Sequence, residues 1–250
     1  MSVKCYGSTS VSKTEGVGST PTIGAILFYI WVIMCRPVIA LFNHHPECSD
    51  QCCDGMIKAL SPYYDFKVFS VNDIVPDMFD DIDIVAFPGG IGDADSHYKF
   101  FTRRFAKQLE KYIDDGGRYL GICMGAYWTD QWYFDLIGDV RAVQYIKRPT
   151  SEIKRSHSTT ARVNWQGTEQ DMFFYDGCAL LCPPDDRSVK VVATYLNGDP
   201  MAIFRGRIGI IGCHPEADEF WFDKSHLKNY WHKYEHHNLL LNFVDELMQQ

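Results

Sequence analysis

Basic residues are scarce in this 250-residue chain: 24 Lys and Arg stand against 32 Asp and Glu, a formal net charge of -8. Holding a phosphate backbone requires clustered cations that release condensed counterions. No such cluster occurs, so nucleic acid is excluded as a partner class. Asn-x-Ser/Thr acceptor sites are absent, in keeping with a chain that is not secreted. Internal repeats and a second domain are absent as well. The nine cysteines form an odd set in a chain too large to depend on disulfide staples, which favours a reducing, cytoplasmic setting.

One apolar stretch stands out. Thr22 to Cys35 (TIGAILFYIWVIMC) carries no charge, but it is shorter than the roughly 20 residues of a membrane-spanning helix and is closed by Arg36-Pro37. It suits a signal-peptide core, with Lys4 and Lys13 upstream. Against cleavage, it runs straight into Pro37 to Phe42, which reads as a core strand. Residues 22–36 are therefore an apolar extension packed on the domain, or else a membrane anchor or signal; residues 1–21, rich in Ser, Thr, Gly and Lys, read as a flexible tail.

What is present is a core-forming sequence, with 46% hydrophobic and 14% aromatic residues, enough for one globular domain over residues 37–250. Short apolar runs alternate with longer amphipathic stretches, the pattern of parallel strands joined by crossover helices. Strands are expected at Val38–Phe42, Phe66–Ser70, Ile82–Phe87 and Arg118–Ile122, with helices over Asp50–Leu60 and Phe100–Asp114. Further strands follow at Ser158–Trp165, Val189–Tyr195, Met201–Phe204 and Arg207–Gly212, some of them antiparallel. A helix over Trp231–Met248 closes the domain.

Three strand ends carry the chemistry. Gly121-Ile-Cys-Met-Gly125 places Cys123 between glycines on a strand-to-helix turn, where small neighbours let the chain pack around a strained nucleophile. The helix that follows aims its free amides at the thiol, which favours the thiolate. His214-Pro215-Glu216, just after another apolar strand, supplies a base and a carboxylate to orient it. Phe87-Pro-Gly-Gly-Ile-Gly92 leaves backbone amides uncovered at a third strand end. Gly90 and Met124 are the candidate donors to an oxyanion, with Gly89 and Tyr127 lining the substrate position.

Strand-PGG, strand-G-x-C-x-G-helix and strand-H-P-E, in that order, resemble the class I glutamine amidotransferase-like superfamily. Within it the chain looks most like the N-terminal domain of eukaryotic-type biotin protein ligases, which also occurs in stand-alone form. The matching stretches are FPGGIGDAD (87 to 95), GGRYLGICMGAYW (116 to 128), MFFYDGCALL (172 to 181) and VVATYLNGDPMAIFRGRIGIIGCHPEAD (191 to 218). The resemblance implies an α/β, flavodoxin-like three-layer sandwich whose mostly parallel central sheet includes some antiparallel strands. It also implies a Cys123–His214–Glu216 triad acting on a small amide or amino-acid-like ligand. Four residues after the nucleophile, where working amidotransferases carry Gln, stands Tyr127, and no domain that would accept ammonia is present.

Other features carry less. His44, His45, Cys48, Cys52 and Cys53 cluster after the first strand, but their spacing fits no zinc pattern; no metal or cofactor is expected, and the loop is assigned to shaping the pocket. His226, His232, His236 and His237 read as surface or packing histidines, with His232 and His236 on one helical face. Asp93 and Asp95 read as solvated loop charges. Three functions compete: a cysteine-dependent amidohydrolase, a non-catalytic ligand-binding module that keeps the fold, and a thiol redox sensor built on Cys123. The oligomeric state is not legible.

Overall fold

Apolar runs only four or five residues long become strands buried on both faces, as a parallel sheet covered by helices requires. The computed structural model describes residues 36–45 and 48–250. In chain order the strands are β1 (Val38–Phe42), β2 (Asp65–Phe69), β3 (Ile84–Phe87), β4 (Arg118–Ile122), β5 (Arg141–Gln144), β6 (Thr159–Trp165), β7 (Thr168–Phe174), β8 (Cys178–Leu181), β9 (Val189–Tyr195), β10 (Pro200–Arg205) and β11 (Ile208–Ile211). The α-helices are α1 (Asp50–Leu60), α2 (His97–Phe100), α3 (Arg103–Asp114), α4 (Met124–Tyr127) and α5 (Glu235–Leu247). The tail and the apolar stretch at 22–35 lie outside the described residues. Among the described residues no helix is long and apolar enough to cross a membrane.

Nine strands form one sheet in the order β2-β1-β3-β4-β11-β10-β9-β6-β7, and β5 pairs with β8 apart from it. The half from β2 to β11 is parallel; from β11 onward every pairing is antiparallel. Period-two alternation sorts the side chains into layers. Ile39 and Leu41 of β1 join Met56 and Leu60 of α1 and Leu240, Phe243 and Val244 of α5. Ala40 and Phe42 point the other way, into a cluster with Phe87, Tyr119 and Trp128 that Phe105 and Leu109 of α3 cover. Arg118, buried at the start of β4, donates to the Leu247 and Met248 carbonyls at 2.9 and 2.7 Å. It thereby satisfies the orphan acceptors at the end of α5.

The architecture is the α/β three-layer arrangement expected, and the departures from the sequence reading have physical causes. The helix expected over 100–114 is broken: Phe101 is extended (φ -117°, ψ 130°), which turns its ring into the aromatic cluster. Thr102 then restarts the helix by accepting the Phe105 amide at 3.3 Å. The closing helix begins at Glu235 rather than Trp231, because Lys233 and Tyr234 hold φ of 48° and 69°. Strands β5, β7 and β8 were not anticipated. The first half of β7 (TEQD) is polar and half-exposed or exposed, and its only local signal is the tight Gln166-Gly167 turn, with both φ positive.

Close backbone approach at glycines holds the strand ends together. A Cβ on Gly125 would lie 2.1 Å from the Phe87 carbonyl oxygen, and one on Gly121 would lie 2.5 Å from that of Gly125. Gly125→Ala is therefore expected to destabilise the fold by about 1–3 kcal/mol or more through overpacking, measured as a lower urea midpoint. An unchanged midpoint would contradict the packing described.

His97 is 4% exposed, with neither ring nitrogen partnered, and packs edge-on against Phe134 with centroids 4.4 Å apart. Burial pulls its pKa down to about 4. Because the unfolded chain takes up the proton first, stability is full above about pH 6.5 and declines as the pH falls toward 4, by roughly 3 kcal/mol from this group. His97→Phe should flatten that part of the Tm-against-pH curve. A curve of the same slope would remove His97 from the account.

Candidate functional site

Register sets the site. Phe87 of β3 is level with Gly121 of β4, and Ile211 of β11 is level with Ile122, so the three strands leave the sheet at one edge. Cys123 follows β4 at φ 51° and ψ -100°, a backbone conformation that side-chain-bearing residues rarely adopt. Its amide donates to the Ile211 carbonyl at 2.8 Å, and its own carbonyl accepts from Ala126 and Tyr127 at 3.0 and 3.1 Å. The Gly125 amide goes to Pro88 at 3.2 Å, leaving Met124 as the remaining amide of the elbow. The helix expected here is a single turn, Met124–Tyr127, so the dipole aimed at the thiol is small.

His214 and Glu216 meet as the sequence suggests: Nδ1 lies 2.8 Å from Glu216 Oε1. Both are buried, the carboxylate completely. Burial disfavours the imidazolium, but the charges of Cys123 and Glu216 outweigh it and raise the His214 pKa well above its ordinary value. Side-chain hydrogen bonding from Cys123 and Cys52 raises it further, and Cys123 Sγ also reaches the Tyr175 carbonyl at 3.7 Å. The sequence-predicted cysteine, histidine and carboxylate therefore converge.

Glycines again decide how closely. Gly89 lies over the imidazole, and a Cβ there would be 2.7 Å from His214 Cε1 and 2.8 Å from Cys52 Sγ. Gly55, in the middle of α1, costs helix stability of about 1 kcal/mol relative to Ala. Its bare face admits the Glu216 backbone, whose carbonyl oxygen a Cβ would meet at 2.4 Å. Phe173 and Trp221 wall the other side of the His214 ring, with centroids 6.0 and 5.4 Å away.

The segment between β7 and β8 covers the elbow. Tyr175 accepts from Cys123, and the Asp176 carbonyl accepts from Tyr127 Oη at 3.2 Å. Asp176 has a φ of 53° and its carboxylate accepts from Gln144 Nε2 at 3.1 Å. Tyr127, expected to line the substrate position, is thus tied to this cover. Gly90 forms an isolated bridge with Cys48, so the PGG turn is fastened to the start of α1. The crevice is closed, with Cys123 only 6% exposed. A surface cavity of about 450 Å³ lined by Glu152, Arg162, Asp171, His226 and Tyr230, among others, includes none of these residues.

Sequence reasoning missed Tyr175 and Asp176, and placed Cys52 only within the cluster assigned to shaping the pocket. Cys52 lies in the first turn of α1, 4.0 Å from His214 Nδ1, and burial is the main cause of its raised pKa. The available signal was Gly55, one helical turn from Cys52, at the carboxyl end of the sheet. Cys48 and Cys53 are buried too. Of the C-terminal histidines, His226 is exposed, His236 and His237 are buried, and His232 stacks on His236 with centroids 3.8 Å apart. Asp93 caps the turn at Asp95 with a 3.2 Å bond, and Asp95 accepts from Tyr133 Oη at 3.0 Å.

Comparison with known proteins agrees with this architecture. Residues 43–138 match the family described as Biotin-protein ligase, N terminal, a stretch that includes the PGG turn and Cys123 but ends before His214. No curated protein matches the chain. Among solved structures, a glutamine amidotransferase from Thermotoga maritima superposes with a TM-score of 0.60 at 12% identity, covering 86% of this chain and 100% of that one. A glutamine amido transferase from Methylobacillus flagellatus gives 0.55 at 12% identity, with 86% and 93% covered. The mmIFT52 N-terminal domain gives 0.52 at 14% identity, with 85% and 97% covered. At such identities the likeness is one of fold. The chain thus shares the fold of solved glutamine amidotransferases, and residues 43–138 carry the biotin-protein ligase N-terminal match.

Proposed function

We propose that the protein is a cysteine-dependent amidohydrolase acting on a small, amino-acid-like amide. The carrying observation is Cys123 at φ 51° on its elbow, beside an imidazole held 2.8 Å from a buried carboxylate. In this reading Cys123 Sγ attacks the amide carbonyl carbon while His214 takes the thiol proton. The same proton passes to the leaving nitrogen as the C–N bond breaks, and ammonia or an amine departs. Water then cleaves the acyl-thioester, with His214 as its base, and a carboxylic acid is released. Glu216 fixes the ring and stabilises the imidazolium. The amides of Gly90 and Met124 are assigned to the developing oxyanion, and Gly89 and Tyr127 to the walls of the substrate position.

The names of the structural neighbours support glutamine chemistry. Tyr127, in place of Gln, supports a different or smaller amide. The closed crevice is what favours a second reading, a ligand-binding module that keeps the fold without turnover. Burial of the thiol weighs against a redox sensor, since oxidation follows exposure.

An electrophilic glutamine analogue discriminates among these. The expected result is a single adduct on Cys123 in the intact protein, lost in Cys123→Ala and formed at least about 100-fold more slowly in His214→Ala, with amide-dependent ammonia release following the same order. Labelling of Cys123 by general thiol reagents but not by the analogue, together with ammonia release equal in all variants, would defeat the proposal and leave the binding module.

A further inference from the structure

We propose that Cys52, His214 and Glu216 form a binding site for a soft divalent cation of the Zn²⁺ type, and that its occupation switches off Cys123. The binding half stands alone; the switching half rests on the hydrolase reading above. One sulfur, one imidazole nitrogen and one carboxylate oxygen lie within 4.8 Å of one another. Sγ is 4.0 Å from Nδ1, and Nδ1 is 2.8 Å from Oε1. Zinc bonds of about 2.0–2.3 Å place tetrahedral ligands roughly 3.5 Å apart. The thiol therefore closes in slightly and the carboxylate eases away, movements that a side-chain torsion supplies.

Three further observations point to a cation. Glu216 Oε2 is buried with no hydrogen-bond partner, and the side chain has no exposure at all, so a lone pair is available inside the crevice. A thiolate and a carboxylate together neutralise a 2+ charge, which a buried site needs. The mixed S, N, O donor set suits zinc and disfavours calcium and magnesium, which take oxygen ligands. Three protein ligands leave a fourth position for a small ligand.

On binding, Cys52 gives up its S–H proton and the metal takes the Nδ1 lone pair, a proton leaving that nitrogen where it was held. The remaining ring proton is then fixed on Nε2. An imidazole in that state has no lone pair with which to accept the Cys123 proton, and Glu216 no longer orients it.

The test is a Co²⁺ titration of the full chain under reducing, anaerobic conditions, reading the thiolate-to-cobalt charge-transfer band. One equivalent should bind, with affinity reduced at least about 10- to 100-fold in Cys52→Ser and Glu216→Gln, and the band should persist in Cys123→Ser. X-ray absorption of the wild-type zinc complex, which needs no variant to fold, should show one sulfur at about 2.3 Å with nitrogen and oxygen near 2.0 Å. Zinc should also slow adduct formation on Cys123 at least about tenfold.

A band unchanged in Cys52→Ser, a band lost in Cys123→Ser alone, or a zinc shell with no sulfur or with two would overturn the site. Normal labelling that zinc leaves untouched would overturn the switch. Absence of labelling with and without zinc, alongside the expected spectra, would overturn the hydrolase and its switch while leaving the metal site standing.

Discussion

Cys123 adopts φ 51° and ψ -100°, and the rest of the site exists to hold it there. A side-chain-bearing residue in such a region costs about 1–3 kcal/mol, which persists only where the surroundings over-determine it. Here the surroundings are specific. The Cys123 amide is bonded to Ile211 and its carbonyl to two amides of α4, while Gly125 donates to Pro88 across the strand ends. Gly121 and Gly125 permit contacts that any β-carbon would block. The elbow, the PGG turn and the end of β11 are therefore one interlocked piece of backbone, and moving any of them disturbs the other two.

The same interlock buries the charge-bearing partners. His214 donates its backbone amide to Phe173 at 3.0 Å, so the histidine and the start of the Phe173–Cys178 cover are tied to each other. A buried imidazole facing a carboxylate and a thiol is electrostatically strong because little water screens it. It is also hard to reach. Tyr175 and Asp176 hold the cover through backbone carbonyls, bonded to Cys123 and Tyr127. A substrate that displaced the Cys123–Tyr175 contact would take up the thiol as it entered. Backbone carbonyls with two local partners are the kind of fastening that opens without unfolding the sheet beneath.

How much of this was legible depends on whether the signal was local. Cys123, His214 and Glu216 stand in short motifs at strand ends, and parallel strands deliver their ends to one edge, so their convergence follows from the strand assignments. Gly89 and Gly90 follow for the same reason. Tyr175 and Asp176 act through backbone carbonyls, which no side-chain pattern encodes. Cys52 was discounted because it sits among other cysteines and histidines with no zinc spacing. Its partner lies 162 positions away, so only the packing of α1 against the HPE loop reveals the pair. The break at Phe101 was missed because helical periodicity continues through it, and an aromatic cluster on the far face of the sheet, not local propensity, turned the chain there.

Cys52 also shows how the demands on His214 compete. A good general base for a thiol wants a lone pair on the nitrogen facing that thiol and a proton on the other, fixed by a carboxylate. A good soft-metal ligand wants its lone pair on the nitrogen facing the carboxylate, with an anionic sulfur alongside. Both conditions need burial and a rigid ring beside the Glu216 carboxylate, and Gly89 and Gly55 bring β3 and α1 onto the HPE loop with no side chain between. The difference is which ring nitrogen carries the proton, and Cys52 Sγ lies 4.0 Å from one of the two, Nδ1. The base proposed for the thiol and the ligand proposed for the metal are thus the same ring, differing in proton position rather than in any rearrangement of the fold.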